Sequence, residues 1–92
     1  MMNKQLSARE QCLIGEMIDG QVEAVFRWGI IVDLGLSRVG LIDALYIDDG
    51  DRYEVGGRVS CYLDCFDERK DKFILRPPGQ ISLAERLGRS VD

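Results

Sequence analysis

The chain has 92 residues, a formal net charge of −4 and 46% hydrophobic residues, which suits one small domain with a modest core. It contains no histidine, so His-dependent catalytic triads and His-ligated zinc sites are excluded. No apolar run reaches the roughly 18 residues of a membrane span, and the first residues lack the apolar core of a signal peptide. We therefore expect a cytoplasmic protein without a membrane partner, a metal or a cofactor.

The N-terminal part of the chain is predicted to lead into a long strand. Residues 1–14 form a lead-in segment with a single helical turn, for which Ser7–Glu10 is a capping-box pattern. A first strand follows over residues 16–27. Its apolar positions Val22 and Val25 are three residues apart instead of two, which indicates a β-bulge where the strand bends.

The second strand begins after a sharp corner at Trp28. Its alternation places Ile30, Val32 and Leu34 on the core face. Ile31 then points outward next to Trp28, and the two side chains would form a small apolar surface patch. Two interpretations of this patch stay open. Either it is a binding surface, or it packs against a C-terminal segment of the chain.

Three further strands are predicted from the alternation of apolar residues and from the turn residues between them. They span residues 40–45, 58–67 and 72–76, and the longest connection covers residues 46–57. The acidic residues of that connection do not fit the ligand spacing of a calcium loop, so we interpret them as solvated turn residues.

The chain after the fifth strand is predicted to be a tail over residues 77–92. Pro77 and Pro78 cannot extend a strand ladder, so the sheet should end before them. Further on, Ser82–Glu85 is a capping-box pattern that predicts a short helix closed by Gly88.

The three cysteines are predicted to be free. Cys61 and Cys65 lie four residues apart in one strand, a separation of about 13 Å that is too long for a disulfide. Together with Val59 and Leu63 they are predicted to form one buried face, in which cysteine acts as a small hydrophobic residue.

The charge distribution argues against a general nucleic-acid binder. Acidic residues are dense in residues 46–57, and the basic cluster of Arg69, Lys70 and Lys72 is interleaved with acidic residues. Proteins that bind nucleic acid usually present a basic face, because neutralising phosphates supplies much of the affinity. The sequence alone does not show such a face.

Several short motifs nevertheless occur in a characteristic order and at characteristic spacing: Gly15–Val22, Trp28–Leu34, Gly40–Asp43, Val55–Val59 and Leu63–Asp67. Together they resemble the S1 RNA-binding domain over residues 15–76. The resemblance implies an all-β fold, a five-stranded antiparallel OB-fold barrel, that stands as a single domain between the lead-in and the tail.

In that family, two aromatic residues, a histidine and nearby basic residues form the face that stacks bases and contacts phosphates. The resemblance places Trp28 at the first aromatic position, Ile31 at the second and Asp43 at the histidine position. Trp28 either stacks a base, worth roughly 1–3 kcal/mol, or packs against the barrel or the C-terminal segment. Four further residues are candidates for the same face: Arg27, Arg38, Arg58 and Tyr62.

Two functions from different classes follow. The first is weak binding of single-stranded RNA on the OB-fold face, which is the usual role of the family. The second is an acidic protein-interaction module, an adaptor or an inhibitor of the immunity type, for a basic protein partner. An enzyme is not expected, because no paired carboxylates and no reactive-thiol motif stand out.

Overall fold

The computed structural model describes residues 6–47 and 52–79, and this part of the chain is mostly β. A short helix precedes five strands, and a turn of 3-10 helix follows the third strand. The elements are α1 (Ala8–Leu13), β1 (Met17–Phe26), β2 (Gly29–Asp33), β3 (Gly40–Asp43), the 3-10 helix (Ala44–Tyr46), β4 (Arg58–Asp67) and β5 (Lys72–Arg76). The predicted bounds of the fourth and fifth strands are confirmed, whereas the third strand ends earlier than predicted because the 3-10 helix begins at Ala44.

The five strands form a closed ring in the order β1-β2-β3-β5-β4. Four of the five neighbouring pairs are antiparallel, and the pair β3–β5 is parallel, with Gly40 opposite Phe73 and Ile42 opposite Leu75. The prediction of an antiparallel sheet throughout is therefore wrong for this pair. The reason is parity, because an odd number of strands cannot close a ring through antiparallel pairs alone.

The core lies inside the ring and receives side chains from every strand. The predicted inward position of Ile30 and Val32 is confirmed, and Leu34 packs against the same core from its edge. The predicted bulge is also confirmed, because the β1–β2 register shifts between Val22 and Ala24. The core cluster consists of Val22, Ile30, Val32, Ile42, Tyr46, Cys61, Leu63, Phe73 and Leu75.

The three cysteines are free, as predicted, but Cys61 and Cys65 do not share one buried face. Cys61 is 3% exposed within the core, and burial raises the pKa of its thiol to about 11. Cys65 is exposed, because a second register shift lies between Leu63 and Cys65 in the β4–β5 pairing. A bulge interrupts the alternation of a strand, so the residue after it leaves the inner face.

Helix α1 is anchored to the ring by a buried carboxylate. The capping box is present, since the hydroxyl of Ser7 accepts from the Glu10 backbone N–H and the Glu10 carboxylate accepts from the Ser7 N–H. The Glu10 carboxylate also accepts from the backbone N–H of Ser37, at 2.7 Å, in the β2–β3 connection. Hydrogen bonds from the side chain and the backbone of Ser37, followed by those from Ser7, lower the pKa of Glu10 to about 2.

The sheet ends where the two prolines predict. Strand β5 ends at Arg76, directly before Pro77. The predicted helix in the tail lies outside the described residues, as do the acidic residues 48–51 of the long connection.

We expect Glu10→Gln to destabilise the fold at neutral pH by about 1 kcal/mol or more, the scale of charge-assisted hydrogen bonds that are lost. The folded-state pKa of about 2 lies below the ordinary value of 4.5, so the ionised form stabilises the folded state. The stabilisation is complete above about pH 4.5 and is lost as the pH falls towards 2. Urea denaturation across this range should show the two proteins converging in stability at acid pH. Glu16→Gln, at an exposed position, is the matched control. A wild-type advantage that persisted unchanged at the acid end would contradict the expectation.

Candidate functional site

The β1–β2 hairpin turns tightly and presents Trp28 to solvent. Phe26 pairs with Gly29, which leaves Arg27 and Trp28 as the two turn residues. A Cβ atom on Gly29 would lie 2.7 Å from the carbonyl oxygen of Ile42, so no larger residue fits beside β3 at this point. The close contact between the two strands brings the turn and its tryptophan directly against the end of β3.

The indole of Trp28 stacks on the ring of Phe26. The ring centroids are 4.7 Å apart and the planes differ by 6°. Both side chains stay accessible, with 54% of Trp28 and 46% of Phe26 exposed. Phe26 was not among the residues predicted for the site. Its signal was the bulge itself, because a shifted alternation after Val22 turns Phe26 to the outer face.

Ile31 does not form part of an exposed patch. It lies on the outer face, as predicted, but only 8% of it is exposed. Its neighbour across the β2–β3 pairing, Leu41, is 4% exposed, and Leu41 in turn lies opposite Ile74 of β5. The predicted Trp28–Ile31 surface patch is therefore corrected. Ile31 belongs to a row of outward apolar residues that pack against one another across the strands.

A hollow of about 390 Å³ lies on the outer face of β3 beside Trp28. We call it the Trp28 hollow, and its lining residues are Trp28, Leu41, Asp43, Lys70 and Lys72. Its two ammonium groups and one carboxylate give it a formal charge of +1. The lysines reach it because the β4–β5 turn lies beside β3, which is a consequence of the parallel β3–β5 pairing.

The β4–β5 turn, which carries Lys70 and leads into β5 at Lys72, is held by acidic side chains. The Asp67 carboxylate accepts from the backbone N–H groups of Arg69 and Lys70, at 2.9 and 3.1 Å. Asp71 forms a 2.7 Å ion pair with Arg38 of the β2–β3 connection. Arg38, a predicted site residue, thus joins two loops and does not line the Trp28 hollow.

Asp43, which was predicted as a site residue, lines the Trp28 hollow and also caps the 3-10 helix. Its Oδ1 accepts from the backbone N–H of Leu45 at 2.9 Å and caps the 3-10 helix. The carboxylate therefore places a negative charge in the hollow where the resemblance expected a histidine.

The predicted residues of β4 lie on another part of the ring. Arg58 and Tyr62 share one outward face, as expected from their spacing, and they pair with β1. The guanidinium of Arg76 lies 4.8 Å from the centroid of the Tyr62 ring and donates to Asp64 at 3.1 Å. Neither Arg58 nor Tyr62 lines the Trp28 hollow.

A second hollow, of about 480 Å³, lies at the open end of the ring. We call it the Tyr53 hollow. Phe26 lines this hollow, whereas its stacking partner Trp28 lines the other. Arg27, also a predicted site residue, belongs here. The lining residues are Val25, Phe26, Arg27, Ile30, Ala44, Ile47, Arg52, Tyr53 and Glu54.

Within residues 6–47 and 52–79, no three Cys, Asp or Glu side chains converge as a metal site. No helix in the same part of the chain is long and apolar enough to cross a membrane.

The fold is similar to that of several solved structures, while no family model and no curated protein matches the sequence. GSP13 from Bacillus subtilis aligns with a TM-score of 0.58 and 21% identity, over 84% of this chain and 69% of that one. A chain of the a/eIF2alpha-aDim2p-rRNA complex from Pyrococcus horikoshii aligns with a TM-score of 0.59 and 15% identity, over 85% of this chain and 51% of that one. A multidomain protein with nucleic acid binding domains from Streptococcus pneumoniae aligns with a TM-score of 0.63 and 12% identity, over 86% of this chain and 29% of that one. At these identities the similarity shows a shared fold.

We expect Phe26→Ala to change the emission of Trp28, which is the one tryptophan of the chain. Loss of the stacked ring exposes more of the indole to water, so the emission maximum should move to longer wavelength and the anisotropy should fall. Val25→Ala is the matched control, because Val25 is 47% exposed and pairs with Ile30 rather than stacking on Trp28. Identical spectra for the two variants would show that the stack does not persist in solution.

Proposed function

We propose that this protein binds single-stranded RNA weakly, through the outer face of β2 and β3 centred on Trp28. The observation that carries the proposal is the exposed Phe26–Trp28 stack beside a hollow that contains Lys70 and Lys72. An exposed aromatic face offers stacking to an unpaired base, and lysines next to it offer contacts to the phosphates.

The stacked arrangement prepares Trp28 for such a role. Half of the indole is exposed, while its partner Phe26 supports it from one side. A side chain already held in one orientation loses less conformational freedom on binding. The supported indole is thus better suited to stacking a base than a freely rotating tryptophan on a loop.

The local charge of this face is also compatible with RNA binding. The Trp28 hollow carries two lysines and one aspartate. Acidic side chains such as Asp19 and Glu23 lie on β1, away from it. A surplus of one positive charge supports only a weak electrostatic contribution, since each neutralised phosphate adds a limited increment.

The architecture supports the same reading. We propose that the ring is an S1-like OB-fold barrel, in which strands β2 and β3 commonly form the binding face. Two of the similar structures reported above are a complex that contains rRNA and a protein with nucleic acid binding domains. The burial of Ile31 and the carboxylate of Asp43 set this chain apart and are consistent with low affinity. We further propose that it acts as a cytoplasmic binding module without catalytic activity.

The proposal is tested by titrating a labelled single-stranded RNA with the protein and following its anisotropy at low and at near-physiological salt. We expect saturable binding that weakens as salt rises. Trp28→Ala should weaken it by roughly five- to 150-fold, the equivalent of one stacked base. Val55→Ala, which truncates an apolar side chain that is 69% exposed, is the control. Absence of binding at low salt would refute the proposal and favour the search for a basic protein partner.

Replacement of Asp43 gives a second prediction of opposite sign. Asp43→Asn removes the negative charge from the Trp28 hollow, while the amide oxygen can still cap the 3-10 helix. RNA affinity should rise by roughly twofold to fivefold at low salt, the scale of one exposed charge interaction, and the gain should shrink at high salt.

Asp33→Asn is the matched control for Asp43→Asn. Its Oδ1 accepts from the backbone N–H of Gly35 at 2.9 Å, which is the same local interaction that Asp43 makes with Leu45. Asp33 lies outside the Trp28 hollow. Equal gains for the two variants would assign the effect to net charge and would place the bound RNA elsewhere.

A further inference from the structure

We infer that the Tyr53 hollow holds a second nucleotide of the same RNA strand, on the other side of the stacked aromatic pair. This inference rests on the proposed function and adds a subsite to it. The strand would lie across the Phe26–Trp28 pair, with one nucleotide in each hollow.

The first argument is continuity between the two hollows. Phe26 and Trp28 are in ring contact, with centroids 4.7 Å apart. Each ring lines one of the hollows. The parallel rings therefore form a common wall, and a chain molecule that reaches one side can continue to the other without leaving the surface.

The second argument is the chemistry of the lining. Apolar and aromatic groups from Phe26, Ile47 and Tyr53 line the hollow, and the guanidinium groups of Arg27 and Arg52 belong to the same lining. Aromatic rings suit a nucleobase, and guanidinium groups suit a phosphate because they donate in a planar fork. Glu54 supplies the acidic group of this lining, which leaves a formal charge of +1.

The Tyr53 hollow is also large enough for a nucleotide. The hollow measures about 480 Å³, within the range of roughly 300–1,000 Å³ that is usual for small-molecule sites. It is larger than the Trp28 hollow. A single base and its phosphate are compatible with it, whereas a duplex would meet the projecting stacked pair.

The inference is tested with two lengths of the same RNA, a single nucleotide and a decanucleotide, because a single nucleotide occupies only one hollow at a time. The protein carries Arg52→Gln, alone and combined with Arg27→Gln. Both arginines are exposed, so folding should be retained, and circular dichroism checks it. Arg9→Gln, an exposed position on α1, makes the same charge change outside both hollows.

Wild-type protein should bind the decanucleotide at least tenfold more tightly than the single nucleotide. Arg52→Gln should weaken decanucleotide binding severalfold and reduce its salt slope by roughly 0.7, the value for one lost phosphate contact on a single strand. The double variant should reduce the slope about twice as much, and Arg9→Gln should leave it unchanged. Arg52→Gln should weaken single-nucleotide binding less than it weakens decanucleotide binding, because a single nucleotide can still use the Trp28 hollow.

Each failure has its own signature. If both arginine variants bind the decanucleotide as the wild type does, while Trp28→Ala still weakens binding, the second subsite is refuted and the proposed function stands. If Arg9→Gln lowers the slope as much as Arg52→Gln, the effect is one of overall charge and the subsite is also refuted. If neither RNA binds to the wild type, the inference falls together with the proposed function.

Discussion

The arrangement of the candidate site depends on the parallel pairing of β3 with β5. With five strands in the ring, one pair must be parallel, and it is the pair between the third and the last strand. The β4–β5 turn therefore lies against the start of β3, while the β1–β2 turn lies against its end. Lys70 and Trp28 come from turns that are distant in sequence, yet they line one hollow across the outer face of β3.

The outer face of the same strands shows how a small ring stabilises a surface site. Ala24, Ile31, Leu41 and Ile74 occupy one row across β1, β2, β3 and β5. Cross-strand apolar neighbours stabilise a sheet on whichever face they occupy. In this chain the row buries Ile31 and Leu41 outside the core. The aromatic pair lies beside this row, because Phe26 pairs with Gly29 and Gly29 pairs with Asp43 in the next outward row along the strands.

Much of the fold could be predicted from the sequence, because alternation and turn residues are local signals. The bounds of β4 and β5 and the bulge after Val22 are of this kind. The exposure of Cys65 was not predicted, because Cys65 continues the alternation of Val59, Cys61 and Leu63. The step of three residues from Leu63 to Phe66, which packs against the core, was the signal for this bulge. The sequence also did not predict that Lys70 and Lys72 line the hollow beside Trp28, because this depends on the pairing of β3 with β5. Of the predicted site residues, the structure brings Trp28 and Asp43 together in the Trp28 hollow, and it shows Arg38 engaged elsewhere.

Net charge is a poor guide to the proposed binding face because many of the acidic groups of this protein make contacts within the structure. Glu10 anchors α1, Asp67 caps the β4–β5 turn, and Asp64 and Asp71 are paired with arginines. Interactions between exposed charges fade beyond a Debye length of about 8 Å at physiological salt. In the proposed complex, a ligand in the Trp28 hollow responds to Lys70, Lys72 and Asp43 and to the neighbouring charges of the β4–β5 turn, rather than to the net charge of the chain.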